Sequence, residues 1–94
     1  MSVYVVTWNL NKEGAAYQQA RTTFLNQLGA YENTKDSGLE TVRWISTNQT
    51  ADQVSAHLRQ KLDDNDRLFV SKVSSGSHQG WLRKTTWDWL ISRL

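Results

Sequence analysis

The feature that most limits how this chain can fold is an apolar run close to its N-terminus. Between Val3 and Trp8 the residues are β-branched or aromatic, and no polar position alternates with the apolar ones. A strand with one wet face alternates apolar and polar side chains, so a run of this kind is typical of a strand buried on both faces. The run therefore predicts a strand at the centre of a sheet.

Two helices and three further strands are predicted after this run. Apolar residues three and four apart indicate a first helix over about 12–28, with Gly29 where a helix commonly stops. Thr50 and Gln53 have the spacing of a capping box and open a second helix. The remaining strands are predicted at 31–36, 41–45 and 68–73. The order β-α-β-β-α-β predicts an α+β, ferredoxin-like fold, in which both helices cover one face of an antiparallel sheet.

The whole chain, residues 1–94, is predicted to be a single domain. Its length suits one hydrophobic core, expected at about 2–73, and leaves too few residues for a second. A polar, flexible link is predicted at 74–80 and an additional, tryptophan-rich C-terminal helix at 81–94. The apolar stripe of this helix consists of Trp87, Leu90, Ile91 and Leu94.

Two helices on one face leave the second face of the sheet open, although the strands are apolar on both sides. An apolar face of that size is uncommon on a monomer, so we expect the C-terminal helix, a second subunit or both to cover it. We predict a homodimer in which the tail helps to form the contact. The residues predicted for this contact are Tyr4, Val6, Trp8, Trp87, Leu90 and Ile91. The alternative is a tail that folds back on its own sheet.

The composition excludes several classes of function. The chain has no cysteine, which excludes disulfides, thiolate metal sites and a thiol nucleophile and favours a cytoplasmic protein. Its longest apolar stretch is too short to span a bilayer, so no membrane partner is expected. Eleven basic and nine acidic residues give a net charge of +2, which permits nucleic-acid binding without arguing for it.

Several segments together carry a resemblance to a known family. They are the first strand with the residues Trp8-Asn9-Leu10 at its end, the spacing of the two helices, the Asp64-Asn65-Asp66 turn before Leu68-Phe69-Val70, and the tryptophan-containing tail. In these segments the chain resembles small bacterial proteins of the SinR family, which are related in fold to CRISPR-associated protein two and to virulence-associated protein D. The resemblance implies a dimeric ferredoxin-like protein and, through the last two families, a metal-dependent endonuclease or endoribonuclease.

The nuclease families imply a metal-binding aspartate at the position of Asn9, where this chain carries an amide. An amide has no charge with which to anchor a divalent ion, and it cannot act as a general base. Asn11 is likewise uncharged where virulence-associated protein D suggests a second aspartate. We interpret both asparagines as residues that end the strand and cap the first helix.

The remaining acidic and histidine residues show no metal or catalytic pattern. Asp63, Asp64 and Asp66 lack the alternating ligands of a calcium loop and predict a solvated turn. His57 and His78 have no partner at ligand or triad spacing, so we interpret them as surface histidines. No metal site or cofactor is predicted, and Mg²⁺ or Mn²⁺ would be needed only by a nuclease.

Basic side chains near an aromatic residue can hold a single nucleic-acid strand through phosphate contacts and base stacking. The candidates for such binding are Arg43, Arg67, Lys72, Trp81, Arg83 and Lys84. The interpretation that we favour is that Trp81 is buried at the subunit contact and that the charges are solvated.

Three functions stay open on the sequence. The first is a non-catalytic or catalytically decayed dimeric module that binds a nucleic acid or a protein, and Asn9 is the reason for it. The second is a metal-dependent endoribonuclease or endonuclease of defence or toxin type that uses other carboxylates, such as Asp36 or Asp66. The third is a regulatory domain that binds a small molecule on the open sheet face, since this fold hosts many functions.

Overall fold

The structure, a computed structural model, describes residues 1–94 as four strands and three helices. The strands are β1 (Ser2–Asn9), β2 (Glu32–Thr34), β3 (Val42–Thr47) and β4 (Arg67–Val73). The helices are α1 (Gly14–Leu28), α2 (Ala51–Arg59) and α3 (Lys84–Ile91). The chain order β1-α1-β2-β3-α2-β4-α3 confirms the predicted α+β class and is compatible with a ferredoxin-like fold that carries an extra C-terminal helix.

The four strands form one antiparallel sheet in the order β2-β3-β1-β4. β1 pairs with β3 on one side and with β4 on the other, which is the interior position that its apolar run predicts. β2 and β4 are the two edges of the sheet. The register places Val5 opposite Trp44 of β3 and Ser71 of β4. Because side chains alternate along a strand, residues opposite one another lie on the same face of the sheet.

α1 and α2 cover the face of the sheet that carries the even-numbered side chains of β1. Tyr4, Val6 and Trp8 are at most 5% exposed on this face. The residues that bury them come from β3 and the two helices, and they are Phe24, Leu28, Ile45, Val54 and Leu58. The rings of Trp8 and Phe24 lie 4.9 Å apart between centroids. This cluster is the main core of the protein.

α3 covers the opposite face of the same sheet. Leu90 is 2% exposed and packs against Val3 of β1 and Trp44 of β3. Around this contact lie further partly buried residues of the tail, namely Leu82, Trp87, Trp89 and Leu94. The expectation that the second face needs an apolar cover is confirmed, and the tail of the same chain supplies that cover.

Local signals in the sequence place two helix ends correctly. Thr50 and Gln53 form the predicted capping box at the start of α2, with hydrogen bonds of 3.2 and 2.9 Å between each side chain and the other residue's amide. α1 ends at Leu28, with Gly29 as its C-cap. These ends follow from hydrogen bonds within a few residues, which is why the sequence alone predicts them.

α3 is shorter than the predicted helix over 81–94. Arg83 has an extended backbone, with φ −65° and ψ 152°, and its amide is bonded to Asp36, so the helix begins only at Lys84. The polar link consequently extends from residue 74 to residue 83. None of the three helices is both long enough and apolar enough to cross a membrane.

Candidate functional site

β1 ends at Asn9, an exposed residue that pairs across the sheet with Arg67 of β4. Two residues further on, the backbone amide of Asn11 donates a hydrogen bond of 2.8 Å to the Asp66 carboxylate. The N-cap of α1 is Glu13, whose side chain makes no capping bond. The interpretation of Asn9 and Asn11 as caps of the first helix is therefore wrong, because the loop after β1 is held by Asp66.

The Asp66 carboxylate is buried and fastens the turn before β4 to the loop after β1. It accepts hydrogen bonds from the amides of Asn11 and Asp63, at 2.8 and 2.9 Å, and from Nζ of Lys12 at 3.2 Å. Burial raises the pKa of the Asp66 carboxyl, but the two amides and Lys12 lower it by more. The prediction of a solvated turn is wrong at this residue, since its charge is buried and paired.

Asp36 is a second buried carboxylate, and it fastens the start of α3 to the loop after β2. It accepts hydrogen bonds from the amides of Arg83 and Gly38, at 2.8 and 2.9 Å, and from Oγ1 of Thr86 at 3.3 Å. The two amides hold the pKa of the Asp36 carboxyl below its usual range. Asp36 and Asp66, which the nuclease hypothesis would use, are thus both occupied by donors of the protein itself.

No group of three or more His, Cys, Asp or Glu side chains in the structure could hold a metal ion together. His57 lies on α2 and is half-buried against the end of α1, with its ring edge-on to Tyr31 at 5.4 Å between centroids. Its Nδ1 lies 3.4 Å from Nε2 of Gln27, and its Nε2 is buried without a hydrogen-bond partner. The interpretation of His57 as a surface histidine is therefore wrong. His78 lies in the link, with Nδ1 2.9 Å from the carbonyl oxygen of Ser74.

The strand residues predicted for nucleic-acid binding do not form one surface. Arg67 and Lys72 lie at opposite ends of β4 and on opposite faces of the sheet, because Lys72 pairs with the helix-facing Tyr4. Arg43 is half-buried on β3, and its Nη1 donates a hydrogen bond of 3.0 Å to Oδ1 of Asn33. Any nucleic-acid contact must therefore use a smaller part of this set.

The other three candidates lie at the start of the tail. Trp81 is 100% exposed, whereas its neighbour Leu82 packs on the sheet, so Trp81 takes no part in the core of this chain. Arg83 is exposed as well, and Lys84 forms a surface ion pair of 2.8 Å with Asp88. The favoured interpretation of Trp81 as a buried residue has no support within the chain, and its ring is accessible.

The residues predicted for the subunit contact are divided between the two cores. Beneath α1 and α2 lie Tyr4, Val6 and Trp8, which face the helices because side chains alternate along β1. Leu90 and half-buried Trp87 pack on the chain's own sheet. Of the predicted set, only Ile91, at 69% exposure, presents most of its side chain to the surface.

An exposed aromatic ring lies on the face that α3 covers only in part. Phe69 of β4 is 64% exposed and stands opposite Thr7, while Arg67 stands opposite Asn9 on the same face. A cavity of about 230 Å³ lies among these residues. We call the four residues Thr7, Asn9, Arg67 and Phe69 the β4 platform.

The guanidinium of Arg67 is held in place beside the ring. Nη1 of Arg67 donates hydrogen bonds of 3.1 and 2.9 Å to the carbonyl oxygens of Asp64 and Asp66, which fixes the guanidinium at the start of β4. The other guanidinium N–H groups make no hydrogen bond within the protein. The platform thus combines a surface for stacking, a cation and an amide. The sequence predicts Phe69 within a strand, but it does not show that α3 leaves the ring accessible.

Comparison with protein-family models, with curated proteins and with solved structures finds no match to this chain. Its function has to be inferred from its own residues and their geometry. On the β4 platform an aromatic ring, a basic group and an amide side chain lie together on an accessible face.

Proposed function

We propose that this protein is a non-catalytic module that binds single-stranded nucleic acid on the β4 platform. The observation that carries the proposal is the exposed ring of Phe69 on the sheet face, next to Arg67 and Asn9. Proteins that bind single strands combine aromatic side chains, on which bases stack, with basic groups that contact the backbone. In this arrangement Phe69 stacks with a base, Arg67 contacts a phosphate and the Asn9 amide bonds to a base edge.

The non-catalytic character of the proposal follows from the state of the carboxylates. A metal-dependent nuclease needs carboxylate oxygens that are free to bind the ion. Asp36 and Asp66 are filled by amide, hydroxyl and ammonium donors, and the end of β1 offers the amide of Asn9. Purified protein is therefore expected not to cleave a mixed RNA and DNA panel in Mg²⁺ or Mn²⁺. Cleavage that disappears in Asn9→Ala would overturn this part of the proposal and favour the nuclease alternative.

Binding is tested by fluorescence anisotropy with labelled single-stranded RNA and DNA oligonucleotides across a salt series. Phe69→Ala is expected to weaken binding about tenfold, because stacking of one base on an aromatic ring contributes about 1–3 kcal/mol. Leu39→Ala is the matched control, since Leu39 is also an exposed apolar residue but lies in the connection between β2 and β3. Equal affinity of the Phe69→Ala protein and the wild type would remove the β4 platform as the site.

The charge contribution is tested in the same assay. Arg67→Ala is expected to reduce the slope of log Kd against log salt by about one, the change that corresponds to the loss of one phosphate contact. Lys72→Ala removes the same charge from the same strand, but at its other end and on its other face, and is expected to leave the slope nearly unchanged. A matching loss of slope in both variants would indicate binding through net charge alone and contradict the proposed site.

We retain the SinR-family relationship and the homodimer as parts of this proposal. The relationship rests on the sequence segments in which the chain resembles that family, and its test is a structure of a SinR-family protein with the same strand order and a C-terminal helix on the second face. The dimer is supported by exposed Ile91, although α3 already covers the face that led us to predict a second subunit. Light scattering at micromolar concentration tests the dimer, and a strictly monomeric mass would exclude it. We place the protein in the cytoplasm, as its lack of cysteine favours.

A further inference from the structure

A second concave site lies at the other edge of the sheet, far along the strand order from β4. It is a cavity of about 370 Å³ between α1 and the connection of β2 to β3. Three of its lining residues are basic: Arg21 of α1, Lys35 after β2, and Arg43 of β3. Because β2 and β4 are opposite edges of the sheet, this cavity is separate from the β4 platform.

The two arginines of this cavity are unusual among the basic residues of the protein. The ion pairs of the structure involve Lys12, Lys84 and Arg93. Among all other lysines and arginines, only Arg21 and Arg43 are half-buried, and both line the cavity. A partly desolvated guanidinium without a carboxylate partner is costly, so such groups are normally paired.

The surroundings of Arg43 show that this cost is present. Its guanidinium has one hydrogen-bond acceptor in the protein, the neutral amide oxygen of Asn33 at 3.0 Å. Burial lowers the pKa of Arg43 first, and the like charge of Arg21 lowers it further, so both effects act against the charged form. An anion between the two guanidinium groups would relieve both effects.

Two acidic residues also line the cavity, and they do not neutralise it. The Asp36 carboxylate is occupied by the amides of Gly38 and Arg83 and by Thr86. Glu40 is exposed and forms no ion pair with any basic side chain. The two arginines are therefore left to a ligand, while Glu40 disfavours a highly charged one.

We propose that this cavity binds the phosphate group of a small phosphorylated molecule between the guanidinium groups of Arg21 and Arg43. Planar guanidinium groups match the geometry of phosphate oxygens and bind them through paired hydrogen bonds. Lys35 adds a third positive charge at the rim, and the hydroxyl of Tyr17 and the amide of Gln18 offer polar contacts for the rest of the molecule. The cavity is larger than one phosphate group, which leaves room for a sugar or a similar carrier.

Titration calorimetry with inorganic phosphate and, separately, with adenosine monophosphate tests this proposal on the full chain. Saturable binding of either probe is expected, and tighter binding of the nucleotide than of inorganic phosphate would identify a phosphorylated carrier as the ligand class. Equal binding of both probes would restrict the site to free phosphate and overturn the larger-ligand part. The proposal fails if neither probe saturates at about 10 mM, beyond the millimolar range of weak specific binding.

Variants separate the cavity from general surface charge. Arg21→Gln and Arg43→Gln are each expected to weaken binding at least tenfold, whereas Arg59→Gln, which removes an exposed charge from α2 outside the cavity, is expected to change it less than twofold. Arg43→Gln also removes the contact with Asn33, so Arg21→Gln serves as the variant that leaves the sheet untouched. Wild-type affinity in Arg21→Gln, or an equal loss in Arg59→Gln, would overturn the proposal. Glu40→Gln is expected to tighten binding, and unchanged nucleic-acid affinity in all four variants would keep the two proposed sites distinct.

Discussion

Gly14 is one of two residues, with Gly76, whose positive φ restricts their identity. It opens α1 with a φ of 59°, in the left-handed region. A side chain in that region costs about 1–2 kcal/mol, although a Cβ added here would meet no atom within 4 Å. Gly14→Ala is therefore expected to lower the free energy of unfolding by about 1 kcal/mol, measured by urea denaturation followed by circular dichroism. Gly80→Ala, at a glycine without positive φ, is the control, and a loss of equal size there would contradict this explanation.

Asp66 joins parts of the chain that are far apart in sequence. Its partner Asn11 lies 55 residues away in sequence, and Lys12 lies 54 away. Asp66→Ala removes the buried carboxylate that accepts hydrogen bonds from two part-buried amides and from the Lys12 ammonium, so the free energy of unfolding is expected to fall by about 2 kcal/mol. Denaturant unfolding measures this loss, and Asp64→Ala, at an exposed aspartate of the same turn, is expected to change it by less than about 0.5 kcal/mol. Similar losses in both variants would mean that the turn, not the buried carboxylate, stabilises the protein.

Single-residue roles were the hardest to predict from sequence, because they depend on long-range contacts. The pattern around Asn9 and Asn11 favoured a local role in capping, but the amide of Asn11 bonds to a carboxylate in the turn before β4, 55 residues away in sequence. Nothing in the sequence indicates a binding role for Arg21, since only the fold brings it into one cavity with Arg43. The departure of Asn9 from the nuclease pattern, by contrast, is visible directly in the sequence.

At the scale of helices and strands, prediction succeeded where the signal lies within a short stretch of sequence. The two-sided apolar run placed β1 in the interior of the sheet, and the capping box placed the start of α2. β2 is only three residues long, Glu32–Thr34, because Asp36 already belongs to the turn that bonds to Gly38. The need for a cover on the second face followed from the strands, but the sequence left open whether the tail or a second subunit supplies it.

The packing of α3 on the sheet can be tested at two neighbouring residues of this helix. Leu90 is 2% exposed against the sheet, whereas the next residue, Ile91, is 69% exposed. Leu90→Ala is expected to lower the free energy of unfolding by about 2–4 kcal/mol, because it removes buried methyl groups and leaves a cavity. Ile91→Ala is expected to change it by less than about 0.5 kcal/mol in urea denaturation. A larger loss for Ile91→Ala, growing with protein concentration, would show that α3 is buried mainly by a second subunit.

At the scale of the whole molecule, the two faces of the sheet are closed by different means. The helix-side core forms from α1 and α2 within the first two thirds of the chain, and Asp66 locks the loop after β1 to the turn before β4. The other face is covered by α3, the last element of the chain. The Asp36 carboxylate connects the start of this helix to the loop after β2, since its partner Arg83 lies 47 residues away in sequence. Two buried carboxylates, each favoured in its ionised form by the donors around it, thus join distant parts of the fold.

This dependence predicts how the protein responds to acid. The pKa values of Asp36 and Asp66 in the folded protein lie below the ordinary value of 3.8, so their contribution to stability is fully present above about pH 4. It is lost as the pH falls through the lowered pKa values, because the unfolded chain then binds protons more readily than the folded one. We expect the free energy of unfolding, measured by urea denaturation at a series of pH values, to fall steeply below pH 4.

The slope in acid can be assigned to the two carboxylates with paired variants. Asp36→Asn and Asp66→Asn are expected to be less stable than the wild type at neutral pH and to show a smaller decrease in acid, since each has already lost one of the two linked groups. Asp64→Asn, at the exposed aspartate, is expected to keep the full decrease. Tryptophan fluorescence reports mainly on the α3 face, because four of the five tryptophans, at positions 44, 81, 87 and 89, lie in or next to the tail and its contact. If only Asp36→Asn shifts the acid-induced change in this fluorescence to lower pH, the α3 face opens before the main core. A decrease of equal steepness in all three variants would show that general charge repulsion, and not these two buried groups, limits the stability of the fold in acid.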